Sequence, residues 1–115
     1  MIPGVYETCI KCEEGAYIRL KPFCELLCPD KVWSDGKYTF FFWKELLWDD
    51  SQYIRWLSDV LRDLDRLHFR LPKDGCGYNI AFIDHSEMRL FFDGNEALPM
   101  PVEIHMVVPD DVDTK

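Results

Sequence analysis

The chain of 115 residues contains 48% hydrophobic, 15% aromatic and 30% charged residues, which is the composition of a folded domain and excludes disordered or collagen-like chains. It carries 13 Lys and Arg against 21 Asp and Glu, a formal net charge of −8. This charge argues against direct binding to nucleic acid or to an anionic membrane, because both are negatively charged themselves. We expect one globular domain over residues 1–108 and an acidic C-terminal tail over residues 109–115.

The start of the chain lacks a positively charged segment followed by a long apolar run, so no export signal is expected. The longest apolar run, residues 40–43, is too short to span a bilayer. An odd count of five cysteines fits reduced thiols better than a disulfide framework. The sequence therefore predicts a cytoplasmic protein that does not enter a membrane.

The first half of the chain predicts two β-hairpins. Residues 5–12 and 16–21 look extended, and Gly15 between them suits a short turn. Residues 22–29 are bracketed by prolines and fit either one helical turn or an edge connection. A second hairpin is predicted around Asp35-Gly36, with residues 38–43 as a central strand that is buried on both faces.

Residues 51–67 predict the long amphipathic helix of the fold, because apolar residues recur at spacings of one, three and four. Asp49, Asp50 and Ser51 precede this segment and suit the N-terminal end of a helix. Three Arg and three Asp alternate on its polar side, so we expect a self-neutralised surface there rather than a binding site.

The last third of the chain predicts an antiparallel meander of three strands, over residues 78–83, 88–92 and 102–108. Together these segments predict the α+β class, with a mainly antiparallel sheet of about five to seven strands packed against one long amphipathic helix.

The charge is divided unevenly along the chain. Residues 1–73 have a net charge of −1, whereas residues 74–115 have a net charge of −7. A solvated surface that maintains solubility is one explanation. The other is a binding surface, because aromatic anchors among carboxylates suit a cationic protein partner. For this second interpretation the predicted partner-binding residues are Trp48, Tyr78, Asp84, His85, Glu87, Phe91, Asp93, Glu96, Glu103 and His105. Trp48 is expected in a loop and partly exposed.

In size, charge and composition the whole chain resembles bacterial toxin-immunity proteins and phage-encoded enzyme inhibitors, among them DNA mimics. The resemblance implies an inhibitory binding protein that neutralises a basic partner, with a toxin nuclease as the first candidate. The alternatives are a phage-type inhibitor or DNA mimic that acts on a nucleic-acid-handling complex, and a zinc-binding accessory module.

The zinc alternative depends on four cysteines in two close pairs, because two such pairs can enclose a tetrahedral Zn²⁺ ion. The candidate ligands are Cys9, Cys12, Cys24 and Cys28. Against a site, Cys9 and Cys12 would point to opposite faces of a regular strand, and buried free cysteines are common as small apolar residues. We expect ordinary thiols and no cofactor.

A catalytic interpretation can be drawn from Cys76, His85 and Asp84, as a nucleophile with a base and an orienting acid. The acidic surroundings disfavour the thiolate that such chemistry needs. No phosphate-binding loop or hydrolase motif occurs in the sequence. We therefore expect a protein that is not an enzyme.

Overall fold

The structure is a computed structural model that describes residues 3–100. It confirms the α+β class, with five antiparallel strands and two helices in the described range. The elements in chain order are β1 (Gly4–Cys12), α1 (Glu14–Leu26), β2 (Lys31–Ser34), β3 (Thr39–Trp48), α2 (Gln52–Arg70), β4 (Tyr78–Asp84) and β5 (Arg89–Gly94). The predicted strand over residues 102–108 and the predicted tail over residues 109–115 lie outside the described residues.

The strands are arranged in the order β2-β3-β1-β4-β5. β1 is therefore the middle strand, and β3, which was predicted to be central, lies next to it. The aromatic part of β3 is buried on both faces as predicted, since Phe40 to Trp43 are each at most 7% exposed. The predicted hairpin of β2 and β3 is also confirmed, and Gly36 in its turn has a φ of +95°, which favours glycine.

Both helices pack on the same face of the sheet, where they complete the larger of two apolar clusters. Ala16, Leu20 and Cys24 enter this cluster from α1, and Ile54, Leu57 and Leu64 enter it from α2. The opposite face has a smaller cluster around Cys9, Phe40, Phe42 and Ala81. The prediction of one long helix was therefore incomplete, because a second helix shares the same face.

The predicted first hairpin is wrong, because residues 14–26 form α1. The segment alternates apolar and polar residues over a short stretch, which is typical of a strand, but its buried residues recur every four positions, as a helix requires. Pro22 lies inside α1, where proline removes one helical hydrogen bond, and this masked the helical pattern. Gly15 belongs to the first turn of α1 and allows close approach, since a Cβ atom there would lie 2.6 Å from the carbonyl oxygen of Gly75.

The predicted long helix is confirmed and extends to Arg70. Asp49 lies just before it and accepts a 3.0 Å hydrogen bond from the backbone N–H of Ser51. That hydrogen bond lowers the pKa of the Asp49 carboxyl group. Within residues 3–100, neither helix is long and apolar enough to cross a membrane.

Candidate functional site

A cleft of about 360 Å³ opens between α2 and the β4–β5 hairpin, on the face of the sheet that carries the helices. Three aspartates from three different parts of the chain line it: Asp49 before α2, Asp65 on α2 and Asp93 on β5. All three residues are exposed at the surface. We call this feature, with the apolar residues beneath it, the acidic cleft.

The floor of the acidic cleft is aromatic and aliphatic. Trp48, Ile80 and Phe82 line it, and the rings of Trp48 and Phe82 meet edge to face with centroids 5.2 Å apart. The indole Nε1–H of Trp48 donates a 3.1 Å hydrogen bond to the hydroxyl of Thr8, which fixes the orientation of the ring. The floor is therefore apolar, and its Trp48 ring is held by contacts on two sides, with the aspartates at the exposed rim.

Tyr78 joins the two walls of the acidic cleft. Its hydroxyl group donates a 2.9 Å hydrogen bond to Oδ1 of Asp65, so β4 and α2 are connected through one polar contact. Burial raises the pKa of the Tyr78 phenol, and the nearby Asp65 carboxylate raises it further. The phenol is therefore neutral and acts as a fixed donor to Asp65.

The cleft keeps a negative balance although one basic residue lines it. Arg62 is the only Lys or Arg among the lining residues within the described range, and its guanidinium group bonds Asp59 at 2.9 Å on the outer side of α2. Asp49 and Asp93 therefore line the cleft without an ion pair to any Lys or Arg of residues 3–100. Carboxylates at the rim of a cleft with an aromatic floor favour an ammonium or guanidinium group.

The structure brings three of the predicted partner-binding residues into this cleft, namely Trp48, Tyr78 and Asp93. The expectation that Trp48 lies in a loop and is partly exposed is wrong. Trp48 is the last residue of β3, pairs with Gly4, and is only 7% exposed because Phe82 covers its ring. Sequence reasoning missed Asp65 as a lining residue, because the alternating charges of α2 do not show which side of the helix meets the sheet.

Asp84 is the last residue of β4, about 20 Å from Tyr78 by the rise of a strand, and Glu87 lies in the turn that follows. Neither residue lines the acidic cleft. The Asp84 carboxylate stabilises the β4–β5 turn by accepting hydrogen bonds from the hydroxyl group and the backbone N–H of Ser86, and these lower its pKa. Arg89 lies within 3.7 Å of Asp84 and 3.5 Å of Glu87. The predicted acidic surface is therefore divided, and its turn end is partly neutralised.

His85 covers a buried carboxylate near the same turn. Its Nε2 atom lies 2.6 Å from Oε1 of Glu7, whose side chain is only 5% exposed, whereas the His85 side chain is 59% exposed. Glu7 occupies an irregular position of β1, where the register with β3 shifts between Tyr6 and Thr8. Sequence reasoning did not select Glu7, because a single acid in an apolar strand gives no sign of its partner.

Glu96 and Phe91 have contacts within the fold. Oε1 of Glu96 lies 2.7 Å from Nε2 of His68 near the end of α2. The ring of Phe91 stacks on Phe82 with centroids 5.2 Å apart and meets Tyr6 edge to face at 5.6 Å. Both residues thus have structural partners at or beside the helical face. The predicted residues Glu103 and His105 lie outside the described residues.

The four cysteines of the zinc alternative are separated in the fold. Cys9 belongs to the smaller apolar cluster, Cys12 and Cys24 belong to the larger one on the opposite face, and Cys28 is exposed. Burial raises the pKa of Cys9 and of Cys12 to about 12, and it raises that of Cys24 as well. Among residues 3–100, no three His, Cys, Asp or Glu side chains are grouped as ligands for a metal ion.

Cys76 and His85 lie at opposite ends of β4, because Cys76 precedes its seven residues and His85 follows them. Burial raises the pKa of the Cys76 thiol, although Arg19 opposes this shift. The geometry therefore does not support the nucleophile and base that the catalytic interpretation requires.

Comparison of the chain with protein-family models, with curated proteins and with solved structures finds no match. Function must therefore be inferred from the residues of the candidate site.

Proposed function

We propose that this chain is an inhibitory binding protein that neutralises a basic partner protein, and that a toxin nuclease is the class of partner. The observation that carries the proposal is the acidic cleft, in which three aspartates surround an aromatic floor. Nuclease surfaces that bind nucleic acid are rich in Lys and Arg, and a protein that blocks them needs carboxylates of this kind.

The shape of the cleft suits one Lys or Arg side chain of the partner. Its volume of about 360 Å³ lies within the range of small ligand-binding pockets. The alkyl part of the side chain would lie on Trp48 and Phe82, and the cationic end would meet Asp49 or Asp93, which the strand register places toward opposite ends of the cleft. The surrounding acids would speed encounter and select the orientation of the partner.

The DNA-mimic alternative has less support. A mimic of the phosphate backbone needs a row of exposed carboxylates, whereas here Arg89 lies between the two acids of the β4–β5 turn and Glu7 is buried. A cleft with an aromatic floor also has no counterpart on the outer surface of a duplex. The contacts of the described residues therefore favour a receptor for basic side chains. We propose the cytoplasm as the place where it acts.

The test uses a basic toxin nuclease, which is sought first among the products of neighbouring genes. Equimolar chain should abolish nuclease activity, and its association rate should fall as salt concentration rises. The double variant Asp49→Lys with Asp93→Lys should weaken binding at least about a hundredfold, because it replaces two attractive charges by two repulsive ones.

A matched control carries the same charge change away from the cleft, in Glu25→Lys with Glu45→Lys, both at exposed positions. This control should keep most of the affinity. Equal losses in the two double variants would show that only net charge matters, and full nuclease activity in the presence of the chain would contradict the proposal.

A further inference from the structure

A second groove lies between α1 and α2, on the outer side of the helical layer, and has a volume of about 560 Å³. Its base is apolar, made by Ile18, Pro22 and Phe23 of α1 and by Val60 and Leu67 of α2. Phe23, Val60 and Leu67 also pack against the larger core cluster, so the base of the groove is anchored. The acidic cleft shares none of its lining residues.

Ile18 is unusually exposed for a large apolar side chain in a helix that packs on the sheet. The buried stripe of α1 consists of Ala16, Leu20 and Cys24, whereas Ile18 is 62% exposed at the groove. Leu71 follows α2 one turn beyond Leu67 and is 54% exposed. Exposed large apolar residues at a groove are typical of a protein-binding surface.

The rim of the groove is basic. Arg19, Arg66 and Arg70 line it, and Asp63 is the one acid among its lining residues. Asp63 bonds Arg66 at 3.1 Å, with both side chains more than 60% exposed, so this ion pair is weak. Arg19 donates to the carbonyl oxygen of Gly15 at 3.1 Å, and Arg70 has no ion pair within residues 3–100. The groove therefore keeps an excess of positive charge.

We infer that this groove binds an amphipathic helix of a partner protein, with the apolar side of that helix on the base and its carboxylates against the three arginines. The groove runs along α2 from Val60 to Arg70, which is about 15 Å or nearly three helical turns. That length accommodates apolar side chains at positions i, i+3 or i+4, and i+7 of a docked helix. The basic rim selects Glu and Asp over Lys and Arg on the flanks of the partner.

This surface goes beyond the proposed function, because its charge preference is opposite to that of the acidic cleft. A basic partner that fills the cleft would be repelled at the rim of the groove. The groove therefore serves an acidic helix of a protein other than the basic partner that fills the cleft.

The probe is a synthetic, fluorescein-labelled helical peptide with Leu at the core-facing positions and Glu on both flanks. A second peptide has Lys in place of every Glu. Binding to the full chain is followed by fluorescence anisotropy. The acidic peptide should bind saturably and at least about tenfold more tightly than the basic peptide, a factor equivalent to one or two favourable charge contacts.

The double variant Arg66→Glu with Arg70→Glu should weaken binding of the acidic peptide at least about tenfold. Both residues are exposed, and circular dichroism checks that the fold is kept. Ile18→Ser removes an exposed apolar contact without a charge change and should also weaken binding. The matched control is Arg55→Glu with Lys44→Glu, which changes the charge equally outside the groove and should leave affinity within a factor of about two.

Equal affinity for the two peptides, or no effect of the Arg66 and Arg70 changes, would overturn the inference. Sedimentation provides a further check on the occupant. Suppose that the chain forms a dimer, that the Arg66→Glu with Arg70→Glu variant is monomeric, and that the acidic peptide does not bind. This result would assign the groove to a second copy of the chain and would also overturn the inference.

Discussion

The two flanks of α2 differ in charge, in lining and in how firmly they are joined to the rest of the fold. On one flank, the acidic cleft has three aspartates over an aromatic floor, and the Tyr78–Asp65 hydrogen bond connects its walls. On the other flank, the groove has three arginines over a largely aliphatic base. A helix with a nearly balanced number of acidic and basic residues thus separates an acidic surface from a basic surface.

The difference shows why a balanced count of charges is a poor guide to function. The sequence predicted a self-neutralised face for α2, and two of its ion pairs, Arg62–Asp59 and Arg66–Asp63, do form. Asp65 nevertheless lies at the cleft and Arg70 at the groove. Which flank a charge occupies depends on the rotation of α2 about its own axis, and the packing of the helix on the sheet decides that rotation.

The largest expected effect concerns the buried stripe of α2 that supports both flanks. Leu57→Ala should lower the free energy of unfolding by about 2–5 kcal/mol, because Leu57 is fully buried and its loss leaves a cavity. Phe69→Ala, at a position that is 87% exposed, should change it by less than about 0.5 kcal/mol. Urea denaturation measures both. A small effect at Leu57 would mean that α2 is not the shared support.

How far the sequence predicts the fold depends on the length of each pattern. The 19 residues of α2 repeat the helical spacing often enough to identify it, whereas α1 has only 13 residues and an internal proline. The β2–β3 turn is marked by Asp35-Gly36, a local signal that survives in the structure. The need for glycine at position 15 has no such local signal, because the backbone that approaches it belongs to Gly75 in a loop distant in sequence.

Sequence reasoning likewise found only those residues of the candidate site that local chemistry identifies. Trp48, Tyr78 and Asp93 were selected from the chemistry of their side chains, and the sheet order β3-β1-β4-β5 brings them to one cleft. Asp65 and Asp49 come from α2 and the loop before it, so they could be added only once the helix was placed over the sheet. The division of the acids between the two ends of β4 likewise follows from pairing, not from composition.

The next effect tests whether water is excluded from the face of the sheet opposite the two helices, where Cys9 lies. An unfolded thiol ionises near pH 9.0, whereas burial raises the pKa of Cys9 to about 12. The neutral thiol therefore stabilises the fold fully below the unfolded pKa, and this contribution is lost as the pH rises toward the folded pKa. Between about pH 8 and pH 10.5, wild type should lose about 2 kcal/mol more than Cys9→Ala.

Chemical denaturation at the two pH values measures that loss. Cys28→Ala, at an exposed position, should lose as much as wild type. An equal loss in Cys9→Ala and wild type would mean that water reaches this face of the sheet.

A smaller effect compares the polar contact on each flank. Tyr78→Phe should cost about 1–2 kcal/mol, because it removes a hydrogen bond to a carboxylate that connects β4 and α2. Arg66→Ala breaks the exposed pair with Asp63 and should cost less than about 0.5 kcal/mol. The two variants are compared by thermal and urea unfolding. Equal costs would remove the claim that the cleft is held more firmly than the groove.

The smallest expected effects are those of charge reversal at exposed positions. Asp93→Lys and Arg70→Glu should each change the free energy of unfolding by less than about 0.5 kcal/mol, since both side chains lie at the surface. Melting temperatures measured side by side with wild type check this. A large destabilisation would assign these residues a structural role, and their effects on binding would then have to be reinterpreted.

The central claim is that α2 separates an acidic cleft for basic side chains from an arginine-rimmed groove for acidic helices. Titration of the isotopically labelled chain, followed by nuclear magnetic resonance, tests it directly with two probes: a short Arg- and Lys-rich peptide and the Leu/Glu helical peptide. The basic peptide should shift the signals of the Trp48 indole N–H and of Asp93, and the acidic peptide should shift those of Ile18, Leu67 and Arg70. Shifts at the same residues with both peptides, or at neither set, would contradict the account.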